Sequence, residues 1–392
     1  FMRDVFPRMA NYSSQAFPML QQRRIVSRDI ARAFSPQVQQ LADYLASNNL
    51  STSDTSPFPL KTLPRPKGHA THVIITEYDL PRQAIQPHDV VLDSQGTVWY
   101  SDFGENEIGK MDPTTGKVTE YPYPASREPQ YANGNLDLEF DKAGNIWIGM
   151  MTQAGIAQFD PKTEKFTLHP LPKADLNDST QQAMVVPTAD DVDGKVWFND
   201  VETIQVGRYN INANTFDPWI KPYAKFPTGS HSLYGIYADS HNNAFFCDFS
   251  GESIGRIDAN TGDVTLYRTP TAQSRPRRGR MDAQDRLWFT ETYGDSIGMF
   301  DTNSHAFKEW KVNVPYAGPY DVALDKWGDA WTGGMYEDRV SRINTETAAE
   351  IDYLTPRETN MRRAYVDSRG AKPVFWVGNH HQAAIVKVEP LD

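Results

Sequence analysis

Apolar and polar positions in this chain fall into short runs separated by turn residues, and the pattern recurs. His88-Asp89-Val90-Val91-Leu92-Asp93 is a short apolar run closed by Ser94-Gln95-Gly96, a tight hairpin signal. Thr97-Val98-Trp99-Tyr100-Ser101-Asp102 reads as the returning strand. Glu107-Ile108-Gly109-Lys110-Met111-Asp112 alternates between faces, and Pro113-Thr114-Thr115-Gly116 turns into Lys117-Val118-Thr119-Glu120-Tyr121. Four antiparallel strands per unit are predicted. One such unit cannot bury both faces alone, so neighbouring units must stack.

The unit repeats. Its anchoring aromatics are Trp99, Trp147, Trp197, Phe245, Trp288, Trp331 and Trp376, spaced 48, 50, 48, 43, 43 and 45 residues apart. A period of about 40–50 residues with four short strands per copy predicts a propeller. The last copy lacks an outer strand after Ala384-Ile385-Val386-Lys387-Val388-Glu389. His72-Val73-Ile74-Ile75-Thr76-Glu77-Tyr78 carries the outer-strand pattern at the other end. Closure of one blade by both termini would leave no open sheet edge. The expected fold class is therefore all-β, a seven-bladed β-propeller over residues 72–392 closed by strand 72–79, with a short N-terminal α-helical extension.

Composition narrows the function classes. The chain has 392 residues, 39% hydrophobic, and no apolar run long enough to cross a bilayer. A net charge of −11 argues against a nucleic-acid surface. The single cysteine, Cys247, excludes an internal disulfide and any CxxC or CxxCH motif within these residues. Its place in Phe245-Phe246-Cys247 predicts a buried, inert thiol. The chain starts at Phe1 without a methionine, so its beginning is expected to be missing.

Residues 1–57 stand outside the repeat. Ser35-Pro36 predicts a helix start, and Val38, Leu41, Ala42 and Leu45 then share one face. A polar stretch from Ser47 to Pro57 reads as a linker. The segment Phe34 to Ser51 resembles the closing helix of a class I c-type cytochrome domain. That resemblance implies an axial methionine, Met19 before Met9. Haem c is implied only if a CxxCH lies upstream of Phe1, and a redox partner would follow. The bland alternative is a helical extension packed on the repeat.

The repeat itself, with Asp-x-x-Gly-x-Val/Ile-Trp-Phe/Tyr followed by Ile-Gly-Arg/Lys-x-Asp, resembles the virginiamycin B (streptogramin) lyase family. Leu287-Trp288-Phe289-Thr290-Glu291 has the form typical of it. The resemblance implies catalytic histidines at two successive inner-strand starts, a magnesium ion near the glutamate, and ring opening of a cyclic depsipeptide by elimination. Carried over, the glutamate is Glu291, but the histidine positions hold Tyr234 and Arg277, and the acidic partner's position holds Arg275. With the cytochrome-like segment, it also implies a periplasmic or secreted protein.

Function lives at the channel mouth and not in the repeat. The expected inner-strand starts are His88, Leu136, Val186, Tyr234, Arg277, Tyr320 and Arg362. The following strands end at Asp102, Met150, Asp200, Asp248, Glu291, Gly334 and Asn379. So many polar groups on one ring must pair or bind something. Mutual pairing, Arg277 with Glu291 and His88 with Asp102, would leave only a solvated channel. Otherwise His88 is the default general base, with Glu291, Tyr234 and Arg277 as catalytic partners. Arg275, Arg278, Tyr320, Arg362, His380, Asp102 and Asp200 are the substrate-binding candidates, the guanidiniums favouring a carboxylate or phosphate. Glu291 and Asp248 could hold magnesium or calcium. Two classes stay open: a lyase or hydrolase acting on a small anionic ester, lactone or carbonyl compound, and a non-catalytic binding or electron-transfer protein joined to a cytochrome.

Overall fold

The computed structural model describes residues 40–48, 63–127 and 131–392. The fold is all-β. Among the described residues twenty-eight strands, numbered in chain order, form six sheets. One sheet has eight strands, in the order β1 (Val73–Asp79), β28 (Ala384–Pro390), β27 (Val374–Asn379), β26 (Met361–Asp367), β2 (Pro87–Leu92), β3 (Val98–Asp102), β4 (Glu107–Met111) and β5 (Val118–Pro122). Its two halves meet through a single parallel pair, Asp89 with Arg363. β1 pairs antiparallel with β28 from Val73–Pro390 to Asp79–Ala384. The other five sheets have four strands each. Their first strands are β6 (Leu138–Phe140), β10 (Gln182–Val186), β14 (Leu233–Ala238), β18 (Pro276–Met281) and β22 (Pro319–Leu324), and each lies against the first strand of a neighbouring sheet.

A recurring hydrogen-bond set explains the aspartate-turn-tryptophan pattern. One oxygen of Asp93 accepts the backbone N–H groups of Gln95 and Thr97, and the other accepts the Trp99 indole N–H at 3.1 Å. Asp141, Asp282 and Asp325 hold Trp147, Trp288 and Trp331 in the same way, each at 2.9 Å. Each carboxylate thus satisfies the turn and fixes the large ring that fills the space between sheets. In the last hairpin three additional residues separate Asp367 from its tryptophan. Asp367 binds Arg369 instead, and the buried Trp376 indole N–H has no partner among the described residues.

The Ile-Gly pair of the third strand has an equally local cause. Gly109, Gly207, Gly255 and Gly298 pair directly with Tyr100, Phe198, Phe246 and Phe289. In each case the neighbouring ring lies flat over the glycine, and a Cβ there would fall 1.9–2.4 Å from it. Where the partner is not aromatic the glycine is absent: Ile148 faces Ala157, Thr332 faces Ser341 and Val377 faces Val386.

Outside the sheets, residues 40–47 are helical. Ala42 is buried, but Leu41 is 47% exposed, so the expected apolar face is not a continuous buried one over these residues. Met19, Met9, Val38 and most of the expected linker lie outside the described residues. Cys247 is buried, and burial holds its thiol well above the usual range, which keeps it unreactive.

The ring-over-glycine packing gives a direct test. Gly298→Ala should destabilise the fold by about 1–3 kcal/mol, because Phe289 is held on all sides and cannot yield. Ala157→Gly, with no ring above it, should cost about 1 kcal/mol or less. Urea denaturation midpoints of the two variants would show the contrast.

Candidate active site at the start of the inner strands

The site is made by a register shift. In the first strands β2, β10, β14, β18 and β26, the ladder slips after its first pair, so two consecutive residues leave the regular pairing. β22 slips after Pro319, releasing Tyr320. Such bulges re-aim side chains that a flat strand would send to opposite faces. Here they turn both members of His88-Asp89, Arg277-Arg278 and Arg362-Arg363 toward the centre, giving two layers. His88, Tyr234, Arg277, Tyr320 and Arg362 form the outer layer. Asp89, Arg278 and Arg363 form the deeper one, joined by Asp137. The slip also corrects one expected position: Gln182 pairs with Asp200, so Ala183 holds the place assigned to Val186, which lies further along the strand.

The deeper layer is a buried ion network. Arg278 donates to both oxygens of Asp89, at 2.7 and 2.5 Å, and to Asp137 at 2.5 Å. Arg363 reaches the same two carboxylates, the Leu138 carbonyl and Glu139. Arg278 is therefore engaged inside the protein and is not a free substrate contact. Burial lifts Asp137 to about 6 despite the two guanidiniums. At the hairpin end of the same centre, a cavity of about 1090 Å³ is lined by Glu139, Arg280, Arg363 and Tyr365 among others. Its guanidiniums are also paired, Arg280 with Asp321 and Arg363 with Glu139.

Above that network lies a hydrogen-bonded chain. The Tyr234 and Tyr320 hydroxyls are 2.6 Å apart, Tyr320 Oη is 3.0 Å from His88 Nε2, and His88 Nδ1 is 2.8 Å from Asp89. Asp89 also accepts from two arginines, so its oxygens act as acceptors and His88 Nδ1 supplies the proton. His88 Nε2 is then free to accept from Tyr320. Burial, then Arg278, Arg362, Arg277 and Arg363, hold the imidazole well below its usual pKa, so it is neutral. Burial pushes Tyr320 up. At Tyr234 burial also raises the pKa, but Arg277 and the hydrogen bonds outweigh it and the net direction is down.

Arg277 and Arg362 complete the outer layer. Arg277 lies 4.3 Å from the Tyr320 ring centre and 4.9 Å from that of Tyr234, and Arg362 lies 5.1 Å from the Tyr320 ring. Both direct an N–H at Met335 sulfur, at 3.4 and 2.8 Å. No carboxylate pairs with either among the described residues, and each Nε is buried without a partner. His380 lies 5.7 Å from His88, and Phe103 stacks on His88 at 5.4 Å. Arg275 sits on the rim, over Phe249 and Tyr293.

The strand-end acids do not join this group. Asp102 accepts the N–H groups of Gln86 and Gly104, Asp200 those of Glu202 and Thr203, and Asp248 those of Ser232 and Gly251. They hold their own turns. Asp248 also binds His231 at 2.5 Å and Asp200 binds Gln182 at 3.0 Å. The Glu291 carboxyl lies beside Gly294, with Glu309 and Ser274 near it, and burial followed by Glu309 raises it to about 8. Neither expected pairing, Arg277–Glu291 or His88–Asp102, forms. No cluster of three potential metal ligands among the described residues includes Glu291 or Asp248. With Tyr234, Arg277 and Arg275 in the other positions, these residues do not fit the magnesium site that the resemblance implies, and no step below passes through one.

Asp89, Asp137, Phe103 and Met335 were not anticipated from the sequence. The available signal was the doublets His88-Asp89, Arg277-Arg278 and Arg362-Arg363, which strict alternation reads as one inward and one outward residue.

This is a polar site at the centre of a propeller-like array of sheets. The sequence profile of the virginiamycin B lyase family matches residues 129–390, which is 262 of the 392 residues, and the chain belongs to that family. The virginiamycin B lyase of Staphylococcus aureus is similar in structure, with TM-score 0.67, 22% identity, and 81% of this chain and 99% of that one covered. A streptogramin B lyase structure matches with TM-score 0.70 and 22% identity over 82% and 99%. The WD40 repeats of RRP9 match at 9% identity with TM-score 0.62, over 80% and 97%, a likeness of fold alone. No curated protein matches in sequence.

The neutral state of His88 can be observed. A group whose folded pKa is depressed gives stability above its unfolded value, about 6.5 for histidine, that is lost as pH falls below it. Nitrogen-15 shifts should show His88 uncharged at pH 6 with the proton on Nδ1, and the wild-type protein should lose more stability between pH 7 and 5 than His88→Gln.

Proposed function

We propose that this chain is a seven-bladed propeller enzyme of the lyase class that opens a small ester or lactone and holds its anionic group at the mouth formed by His88, Tyr234, Arg277, Tyr320 and Arg362. The blade count is supported by the first strands, which touch in cyclic order β2, β6, β10, β14, β18, β22, β26 and back to β2. It is supported too by the lone parallel pair that divides the eight-stranded sheet into two halves of four.

One observation carries the chemistry: two guanidiniums without a carboxylate stand beside a tyrosine–tyrosine–histidine hydrogen-bond chain. Moving one proton from Tyr234 to Tyr320 and another from Tyr320 to His88 Nε2 leaves a Tyr234 phenolate beside Arg277 and an imidazolium over Asp89. The phenolate is the base. It takes the proton alpha to a carbonyl, the electron pair forms a C=C bond, and the C–O bond at the beta carbon breaks to release a carboxylate. Arg277 and Arg362 stabilise that carboxylate as its charge develops. The imidazolium then returns its proton to water. Exposed Tyr293, Tyr316 and Tyr336 stand on turns at the same end and suit a substrate with apolar or aromatic groups around its ester.

Cyclic depsipeptides and simple lactones are the substrates to try, with products weighed by mass spectrometry. Elimination gives a ring-opened product of unchanged mass, whereas hydrolysis adds one water and would exclude a lyase. Tyr234→Phe should lower kcat by about 10²–10⁴, and His88→Ala should lower it similarly. Arg277→Met should lower kcat as well, since Arg277 acts on charge that develops only during the reaction. Unchanged turnover in both Tyr234→Phe and His88→Ala would remove this site.

A further inference from the structure

A second polar centre lies beside this mouth, in the turn between β3 and β4. Asp102, Glu105 and Glu107 bring one carboxylate oxygen each within 4.8 Å of one another, and Asp102 and Glu107 are buried. Oxygens on opposite sides of a bound calcium ion are separated by about 5 Å, since each Ca–O distance is about 2.3–2.6 Å. Glu120 lies close by, and among the described residues the only cation paired with Glu105, Glu107 and Glu120 is the Arg82 guanidinium. Four carboxyl groups thus share one positive charge.

Acid clusters are common without an ion, but this one holds unsatisfied buried atoms. Asp102 is fully buried; its Oδ1 accepts two backbone N–H groups, while Oδ2 has no partner. Tyr100, also fully buried, has an unpartnered hydroxyl within the field of Glu120, Asp102 and Glu107. Buried oxygens of this kind are ordinarily satisfied, and a cluster of them around surplus negative charge is explained by an ion.

We infer that Asp102, Glu105 and Glu107 form a binding site for a hard divalent cation of the calcium type. The ion would sit on the Asp102 side of the cluster, with Arg82 retaining its hold on the outer edges of Glu105, Glu107 and Glu120. Asp102 opens the turn Asp102–Gly104, and Phe103 within that turn stacks on His88. Occupancy would therefore fix the wall of the candidate active site without entering its chemistry.

Terbium serves as the probe, because excited tyrosines close to the ion transfer energy to it. Metal-stripped full-length protein should give tyrosine-sensitised terbium emission that calcium displaces, together with a calcium-dependent rise in thermal midpoint. Asp102→Asn, which keeps the turn acceptor, and the half-exposed Glu105→Gln should each weaken binding at least tenfold. Glu291→Gln and Asp392→Asn, the latter in the exposed His69–His72–Asp392 group, should leave emission intact. Absence of emission and of any calcium shift in the wild type would overturn the site, as would emission that survives both cluster variants or is lost in Glu291→Gln or Asp392→Asn. Failure of the lyase assay leaves this result untouched, since no step of that reaction enters the measurement.

Discussion

Buried arginine is the constraint on which the rest of this structure depends. Arg278 and Arg363 come from separate sheets and are almost wholly removed from water. Their charges are tolerable only where Asp89, Asp137 and Glu139, from two further strands, meet them with hydrogen bonds in place. The network ties strands far apart in sequence to one centre. Its geometry admits little sliding of one sheet against the next. Such a network adds less to net stability than an apolar core of equal size, and what it contributes here is a fixed arrangement.

The same network determines the chemistry above it. Carboxylates near the centre are consumed by Arg278 and Arg363, and the strand-end acids are consumed by their own turns. Arg277 and Arg362 are left facing tyrosines and a thioether. A chain with net charge −11 thereby presents a positive mouth. That local field keeps His88 neutral and draws the Tyr234 hydroxyl toward ionisation, so charge and proton chain have one origin.

Family membership and site chemistry separate cleanly here. The hairpin aspartates, the indole rings and the glycines under aromatic rings are matters of sheet packing, and they are the residues a family profile detects. Tyr234, Arg277 and Arg275, by contrast, stand where the resemblance expects two histidines and an acid. A scaffold that gathers five strand starts at one centre can change its reacting groups without changing its packing.

The short apolar runs, the turn residues and the recurring tryptophans made the all-β class and the strand positions legible, because each depends on neighbours close in sequence. His88, Tyr234, Arg277, Tyr320 and Arg362 could be placed at strand starts by counting, and the structure brings them together. Counting failed where the ladder slips: it put Val186 in place of Ala183, missed Asp89 and Asp137, and turned Glu291, Asp102, Asp200 and Asp248 toward the mouth. Alternation assumes a regular ladder, and it reads doublets such as Arg277-Arg278 as one inward and one outward residue where a bulge turns both to one side. The sequence by itself thus determined which segments are strands and which residues stand at their ends. Which way those residues point, and which charges are left without partners, depended on contacts between sheets many residues apart, and only the tertiary structure decided that.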